Sequence, residues 1–406
     1  MPIAQGINKT IAYKKQTAQG TTATGSGGQL IRRETATFNQ TKDTYENNEI
    51  VAHQQSTGAT HGIARSAGTI NGLLSGASYS ALMGSLLRKD FVATSALTGL
   101  SLTIAASGSN YTITRATGDF LTGGIKIGDV IQITAGSVNA NNLNKNLVVV
   151  GVTATVLTVN VLNSGATMTA EGPIASCTIT VPGKKAWIPT TGHTNDYYTF
   201  EEWYSDAVRS HVYPDLQIGM LDVAVPATGN VTAAFGLVGL GAKTESGTQS
   251  LTSPTAATTT NVMSSVAGAV YVGGVRYTNI TSFSLKIDGQ VNPGEAVVGS
   301  NTVGDVYRGR VKVSGSFSFV YDADTLGANF LDETATSLIA VLADARTAAA
   351  NTVAFVLPRV KFFSNDADDG EKQIVRTINF TAEINGSGGA SLASHQTIVS
   401  IQDSQA

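Results

Sequence analysis

VYRGRVKVSGSFSFVYDADTL, residues 306–326, reads as two interleaved registers. One holds Tyr307, Gly309, Val311, Val313, Gly315, Phe317, Phe319 and Tyr321; the other holds Val306, Arg308, Arg310, Lys312, Ser314, Ser316, Ser318 and Val320. Alternation with a period of two, apolar against basic or hydroxylic, predicts a half-buried β-strand. The core face is expected to be Val311, Val313, Phe317 and Phe319, with Gly309 and Gly315 allowing close approach or a bend. The pattern lasts about 16 residues, where strands are commonly 5–6, so it predicts a strand on the order of 50 Å.

The same alternation spreads outward from this stretch. In ITSFSLKIDG the apolar set is Phe283, Leu285 and Ile287, and in RTINFTAEI it is Ile378, Phe380, Ala382 and Ile384. Two segments near the N-terminus, RRETATFNQTKDTYENN and HGIARSAGTINGLLSG, are strand-like, as is the pair flanking the turn PATGN at 226–230. SYSALMGSLLRKDF sets Tyr79, Leu82, Met83, Leu86 and Leu87 at helical spacing behind Ser78, a suitable N-cap. ATSLIAVLADARTAA, with Leu338, Ile339, Val341 and Leu342, predicts a second helix. Both ends of the chain thus carry strand, strand, helix in order, a pattern of internal duplication.

Residues 1–30 are polar and Gly/Thr-rich, and they predict an arm ordered only on contact with something else. Between 92 and 185 the texture changes to short strands such as DVIQITA and SCTITV, separated by turns such as SGSN and NANNLNKN. This block is expected to be a small all-β domain inserted into one discontinuous β-domain made of 31–91 and 186–406. The fold class expected is mainly β, with one or two helices and an inserted small β-domain.

Charged residues make up only 14% of the 406, where roughly 25% is usual, and Gly alone counts 43. A charge-poor surface rich in small and hydroxylic residues suits one covered by neighbouring subunits, since the cores of permanent interfaces are depleted in charge. A formal net charge of −3 gives no basic footprint for sequence-specific nucleic-acid binding. The single cysteine, Cys177, excludes an internal disulfide framework. The N-terminus has no apolar secretory core, and no run approaches the roughly 18 apolar residues of a membrane span. No membrane insertion is expected.

Three patterns imitate chemistry. GLVGLGAKT, 236–244, lacks the phosphate-loop order because Ala242 separates Gly241 from Lys243, and no helix follows to bind an anion. Strand glycines at close contacts are the simpler reading. NDADDGEK, 365–372, aligned on Gly370 as a calcium loop, puts Asn365, Ala367 and Asp369 at the first, third and fifth places and Arg376 at the twelfth. That set lacks the required oxygens and the final bidentate Glu. His53, His61, His193, His211 and His395 have no ligand spacing. No catalytic, metal or cofactor residue is assigned, and no enzyme is expected.

The N-terminal block with TFNQTKDTYENNE, GIARSAGT and SYSALMGSLLRKDF resembles the opening of bacteriophage tail tube proteins. So does SFSLKIDG…NTVGDVYRGRVKVSGSFSFVYDADTLGANF with the later VAFVLPRVKFF. The insert DFLTGGIKIGDVIQITAGSVNANNLNKNLVVVGVTATVLTV is similar to a small β-module of long-tailed phage tail proteins. The resemblance implies a tail-tube-type β-sandwich or half-barrel subunit with one or two flanking helices, six subunits in a ring, and rings stacked into a hollow tube that conducts the genome during ejection. It implies as partners further copies of the chain, a tape-measure protein, a terminator and distal tail proteins, with double-stranded DNA passing through unbound. It also implies a virion component assembled in the host cytoplasm.

A conduit for a polyanion should not grip it, because each neutralised phosphate adds salt-dependent affinity. A neutral or acidic lumen is therefore expected, with Asp288 and Glu383 as lumen-facing candidates. Arg308, Arg310 and Lys312 are then expected at ring-to-ring or subunit-to-subunit contacts, paired with Asp366, Asp368 or Glu371. The competing reading is a phage or secreted adhesin holding carbohydrate with the insert and the aromatic group around Trp203.

Overall fold

The computed structural model describes residues 3–406 except 54, 164–165, 322–325, 327–329, 369–370 and 387–391. Its strands form an 18-stranded sheet folded on itself as a β-sandwich, a closed six-stranded barrel and a separate two-stranded sheet. The mainly-β fold class is borne out. Among the described residues there is one α-helix, Ser80–Leu87.

The stretch at 306–326 behaves as its alternation predicts at one end and not at the other. Lys312–Val320 is a strand with Val313, Phe317 and Phe319 buried and Val311 half-buried. Phe317 meets Phe362 at a centroid distance of 5.8 Å and Phe380 at 6.3 Å, and Phe283 stacks on Phe380 at 6.1 Å. Gly315 is required here: a Cβ would lie 2.1 Å from the Ser284 carbonyl oxygen and 2.6 Å from the Phe380 ring. The 50 Å strand, however, is not formed. Val306–Arg308 pairs with Val291–Pro293 in the two-stranded sheet, and 309–311 break the run. The physical cause is a clamp: the Gly309 N–H donates to the Gln290 carbonyl at 2.8 Å. The Arg88 guanidinium then donates to the carbonyls of Gly289 and Gly309 at 3.0 and 3.1 Å.

Long strands occur elsewhere, and they bend. Arg209–Val225 pairs with Tyr198–Tyr204 along its first half and with Ile280–Asp288 along its second. Between the halves sits Asp215 in the left-handed region at φ 57°. Thr352–Ala367 likewise pairs first with Ser400–Asp403 and then with Val375–Ala382. Each strand serves two parts of the sandwich, so one hydrophobic core is shared between them.

The helix lies where its spacing predicts, with Leu82, Met83, Leu86 and Leu87 buried. Its N-terminus is not capped by Ser78, whose hydroxyl bonds Ser75 and Thr258 instead. Asp403, from the far end of the chain, fixes the turn that leads into the helix, accepting from the Ala77 N–H and the Ser80 hydroxyl, each at 2.8 Å.

Two expectations are corrected. The second helix is a strand, Thr336–Ala343, and both of its faces are buried. Leu338, Ala340 and Leu342 enter the main core, while Ile339, Val341 and Ala343 pack with Val130, Val148 and Leu162 beside the barrel. A strand buried on both sides is a continuous apolar run, which periodicity cannot distinguish from a buried helix. The duplication of strand, strand, helix accordingly loses its third element. The first 30 residues are not a loose arm either, because Lys9–Lys15 is a strand paired with Tyr198–Tyr204, with Ile11, Ala12 and Tyr13 buried.

The closed barrel is built from Leu97–Ser107, Asn110–Arg115, Val130–Ala135, Leu147–Val152, Val156–Val161 and Glu171–Thr180 around its own core. Gln402 from the C-terminal strand bridges it to the rest. Its amide oxygen accepts from the Val130 N–H at 2.9 Å, and its amide nitrogen donates to the carbonyls of Val130 at 2.9 Å and Pro182 at 3.0 Å.

Candidate functional site

One face of the large sheet is apolar core, and the opposite face is polar. The pairings place Thr35, Asn71, Ala234, Asp222, Lys286, Ser314, Thr381 and Lys361 in one row across eight neighbouring strands. Directly opposed residues share a face. A parallel row holds Ala224, Ser284, Ser316, Asn379 and Ser364. Hydroxyl pairs tie neighbouring strands: Thr37 with Thr69 at 2.8 Å, Ser284 with Ser316 at 2.9 Å, and Ser318 with Thr377 at 2.8 Å. Asn379 donates to the Ser364 hydroxyl at 2.7 Å.

Cations on this face stand close to carboxylates. Lys286 stands opposite Asp222, and Lys312 opposite Asp288. Glu383 bridges Arg359 at 3.1 Å and Lys361 at 3.7 Å. Lys312 and Asp288 therefore lie side by side on one face, not on separate surfaces as their assignment from sequence supposed. Asp288 also accepts from the backbone and side-chain amides of Gln290 at 2.8 and 2.7 Å.

The sheet's strands end in two chemically different places. Near Ala382 and Lys312 a cavity of about 520 Å³ is walled by Arg88, Arg308, Arg310, Tyr307, Ile384 and Ile398, among others. Arg308 is turned into the protomer, where its Nε donates to Gln217 at 3.0 Å and a terminal nitrogen donates to the Tyr197 hydroxyl at 2.7 Å. Arg310 is exposed. Asp366, Asp368 and Glu371 lie at the other end of these strands, exposed. Asp368 forms an ion pair with Lys372 at 2.5 Å.

A second charged cluster sits where barrel meets sandwich, and the sequence reading missed it. Lys126, Asp129 and Lys185 are all buried, with Lys185 Nζ 2.9 Å and Lys126 Nζ 3.4 Å from the Asp129 carboxylate. Burial pushes Lys126 down to about 8, against the pull of Asp129. Burial pushes Asp129 up, but the two ammoniums outweigh it and hold the carboxyl below its ordinary range. Burial, then the Lys126 charge, lowers the nearby His395 to about 4, so it is neutral. The available signal was a charge inside the apolar run GIKIGDVIQI, which a strand with one wet face does not need.

The profile of the phage tail tube protein family matches residues 6–382, nearly the whole chain. The chain belongs to that family. A search of curated proteins found no match. As a phage tail tube protein it is a structural component of a virion tail. The remaining sequence motifs fit that role. In a tail tube protein the GLVGLGAKT glycines need no nucleotide: a Cβ on Gly241 would lie 2.2 Å from the Ala64 carbonyl oxygen. Among the described residues no group of His, Cys, Asp and Glu is placed to hold a metal, though Asp369 and Gly370 of the acidic turn lie outside them. The aromatic group that could have bound sugar is mostly core. Phe200 lies between Tyr13 and Phe38 at centroid distances of 5.7 and 5.4 Å, and Trp203 is half-buried.

Proposed function

We propose that six copies of this chain close into a ring, that the rings stack into the tail tube, and that the tube conducts the genome at ejection. The observation that carries this reading is the polar sheet face. It is hydroxyl- and amide-lined and its cations stand beside carboxylates, so it offers a passing polyanion no continuous cationic track. Strands lie about 4.8 Å apart, so eight span roughly 38 Å, and six copies would enclose a bore roughly 70 Å wide. Such a bore is far wider than one duplex, so only part of the face, including the Asp288 region, lines the lumen. The rest turns toward neighbouring subunits.

In this reading the barrel of residues 97–180 projects from the outer wall. Assembly in the host cytoplasm proceeds on a tape-measure protein and stops at a terminator, with distal tail proteins at the far end and DNA in transit unbound. Negative-stain microscopy of the purified chain tests it: rings or tubes with an open bore are expected. Monomers or compact trimers at every concentration would overturn it.

A further inference from the structure

We propose that the Arg310 pocket of one protomer receives the acidic strand end of a second copy, making the ring-to-ring contact head-to-tail. This rests on the tube reading and names the partner surfaces within it. Both features belong to the same strands. The pocket lies beyond Ala382 and Lys312, and the acidic end lies beyond Arg376 and Ala367. Six residues of extended chain separate Arg376 from Ala382, about 20 Å. No protomer can therefore fill its own pocket with its own acidic end. A contact between two different patches of one chain is heterologous, and when rotation does not close it, it propagates.

The pocket holds positive charge that the protomer does not neutralise. The Arg88 side chain is lowered by burial and then by the Arg308 charge beside it. Asp305 is 3.6 Å from Arg308, and Asp196, which lies beside the two arginines, is already paired with Lys15 at 2.7 Å. Arg310 at the rim has no ion pair among the described residues, nor do Asp366 and Glu371 at the other end. Apolar groups accompany both surfaces: Ile384 is 61% exposed at the pocket, and Phe363 and Ile374 are 62% and 49% exposed toward the acidic end. Opposite charges with apolar neighbours on both sides fit one another, and the cation Lys312 is already opposed by Asp288 within its own sheet.

The test is a charge exchange in the full chain, read as the sedimentable polymer fraction and tube length by microscopy. Arg310→Glu should cut polymer about tenfold or more, since it sets like charges against one another at the contact. Its thermal melt should be unchanged, because Arg310 is exposed. Combining it with Asp366→Arg and Glu371→Arg should restore tubes. Wild-type levels of polymer from Arg310→Glu, or no restoration in the exchanged variant, would overturn the contact while leaving the tube reading intact. Failure of the wild-type chain to polymerise would sink both. If Arg310→Glu leaves polymer untouched but weakens binding of a short DNA duplex measured by anisotropy, the pocket serves phosphate and the contact is overturned.

Discussion

The barrel and the sheet beside it treat their backbone edges in opposite ways. In the barrel, Val156–Val161 pairs with Asn110–Arg115 on one side and Leu147–Val152 on the other, and every strand around the ring has two neighbours. The large sheet is open: among the described residues Thr35–Glu46 has Ala59–Leu73 as its only strand partner, and its distal half is exposed. A closed barrel leaves no edge to pair, whereas an unpaired edge of twelve residues invites another chain. The barrel satisfies its own backbone and the sheet depends on neighbours. The two parts meet along Thr336–Ala343, which gives one set of alternate residues to the sheet core and the other to a separate cluster at the seam with the barrel.

The largest effect should come from breaking the sheet's core. Phe317→Asp removes a ring that is 1% exposed and buries a carboxylate with no partner, a loss of more than about 5 kcal/mol. The expected result is no soluble folded protein. Ser316→Asp, on the opposite face, should keep native far-UV circular dichroism and a cooperative melt. A well-folded Phe317→Asp protein would show that the faces are exchanged.

Removing the barrel probes the seam. Replacing 93–184 by a short Gly/Ser linker exposes Ile339, Val341 and Val356, each at most 1% exposed in the native chain. At roughly 1.5–3 kcal/mol per buried side chain, that variant should aggregate. Adding Ile339→Thr and Val341→Thr should recover soluble protein that still forms tubes of smaller outer diameter. If the plain linker variant is as soluble as wild type by size-exclusion chromatography, the barrel and sheet do not share a core.

Asp129→Ala sharpens the same comparison, because it leaves two ammoniums buried at the seam. Breaking a buried ion pair by removing one partner costs about 3–5 kcal/mol. The loss should register as a lower denaturation midpoint in urea, with Lys185→Met together with Asp129→Leu recovering part of it. A double variant no better than Asp129→Ala would assign the loss to packing.

The smallest effects are those of pH, and they run in two directions. His395 is lowered to about 4 from about 6.5, so between those values the unfolded chain binds a proton that the folded chain refuses. Stability should fall as pH drops through that window, by on the order of 3 kcal/mol. Lys126 is lowered to about 8, so above that value the folded chain has shed a proton that the unfolded chain still holds. Its contribution should make stability rise from pH 8 toward about 10, opposite to the usual alkaline decline. Thermal melts across both windows check this, and His395→Leu and Lys126→Met should each flatten one limb.

Local pattern determined much of this protein. Phe283, Leu285, Ile287, Phe317, Phe319, Ile378 and Phe380 are buried as their period-two spacing requires, and Leu82, Met83, Leu86 and Leu87 as their helical spacing requires. Those signals survive because each element has one wet face and one dry face, so the pattern records the environment directly. Where both faces are dry the record is lost: Thr336–Ala343 is a strand through its pairing with Ser264–Val272 and Thr352–Ala367, while Ile339 and Val341 are covered beside the barrel. The break at Gly309 was equally invisible, since it depends on Arg88, more than two hundred positions away, capturing two carbonyls. Charge partners were also decided in space: Lys312 met Asp288 across a strand pair, Arg308 turned inward to Gln217 and Tyr197, and Lys126 and Lys185 converged on Asp129. Sequence spacing fixes which face a side chain takes; what stands opposite that face is set by chain folding over distances that no local pattern spans.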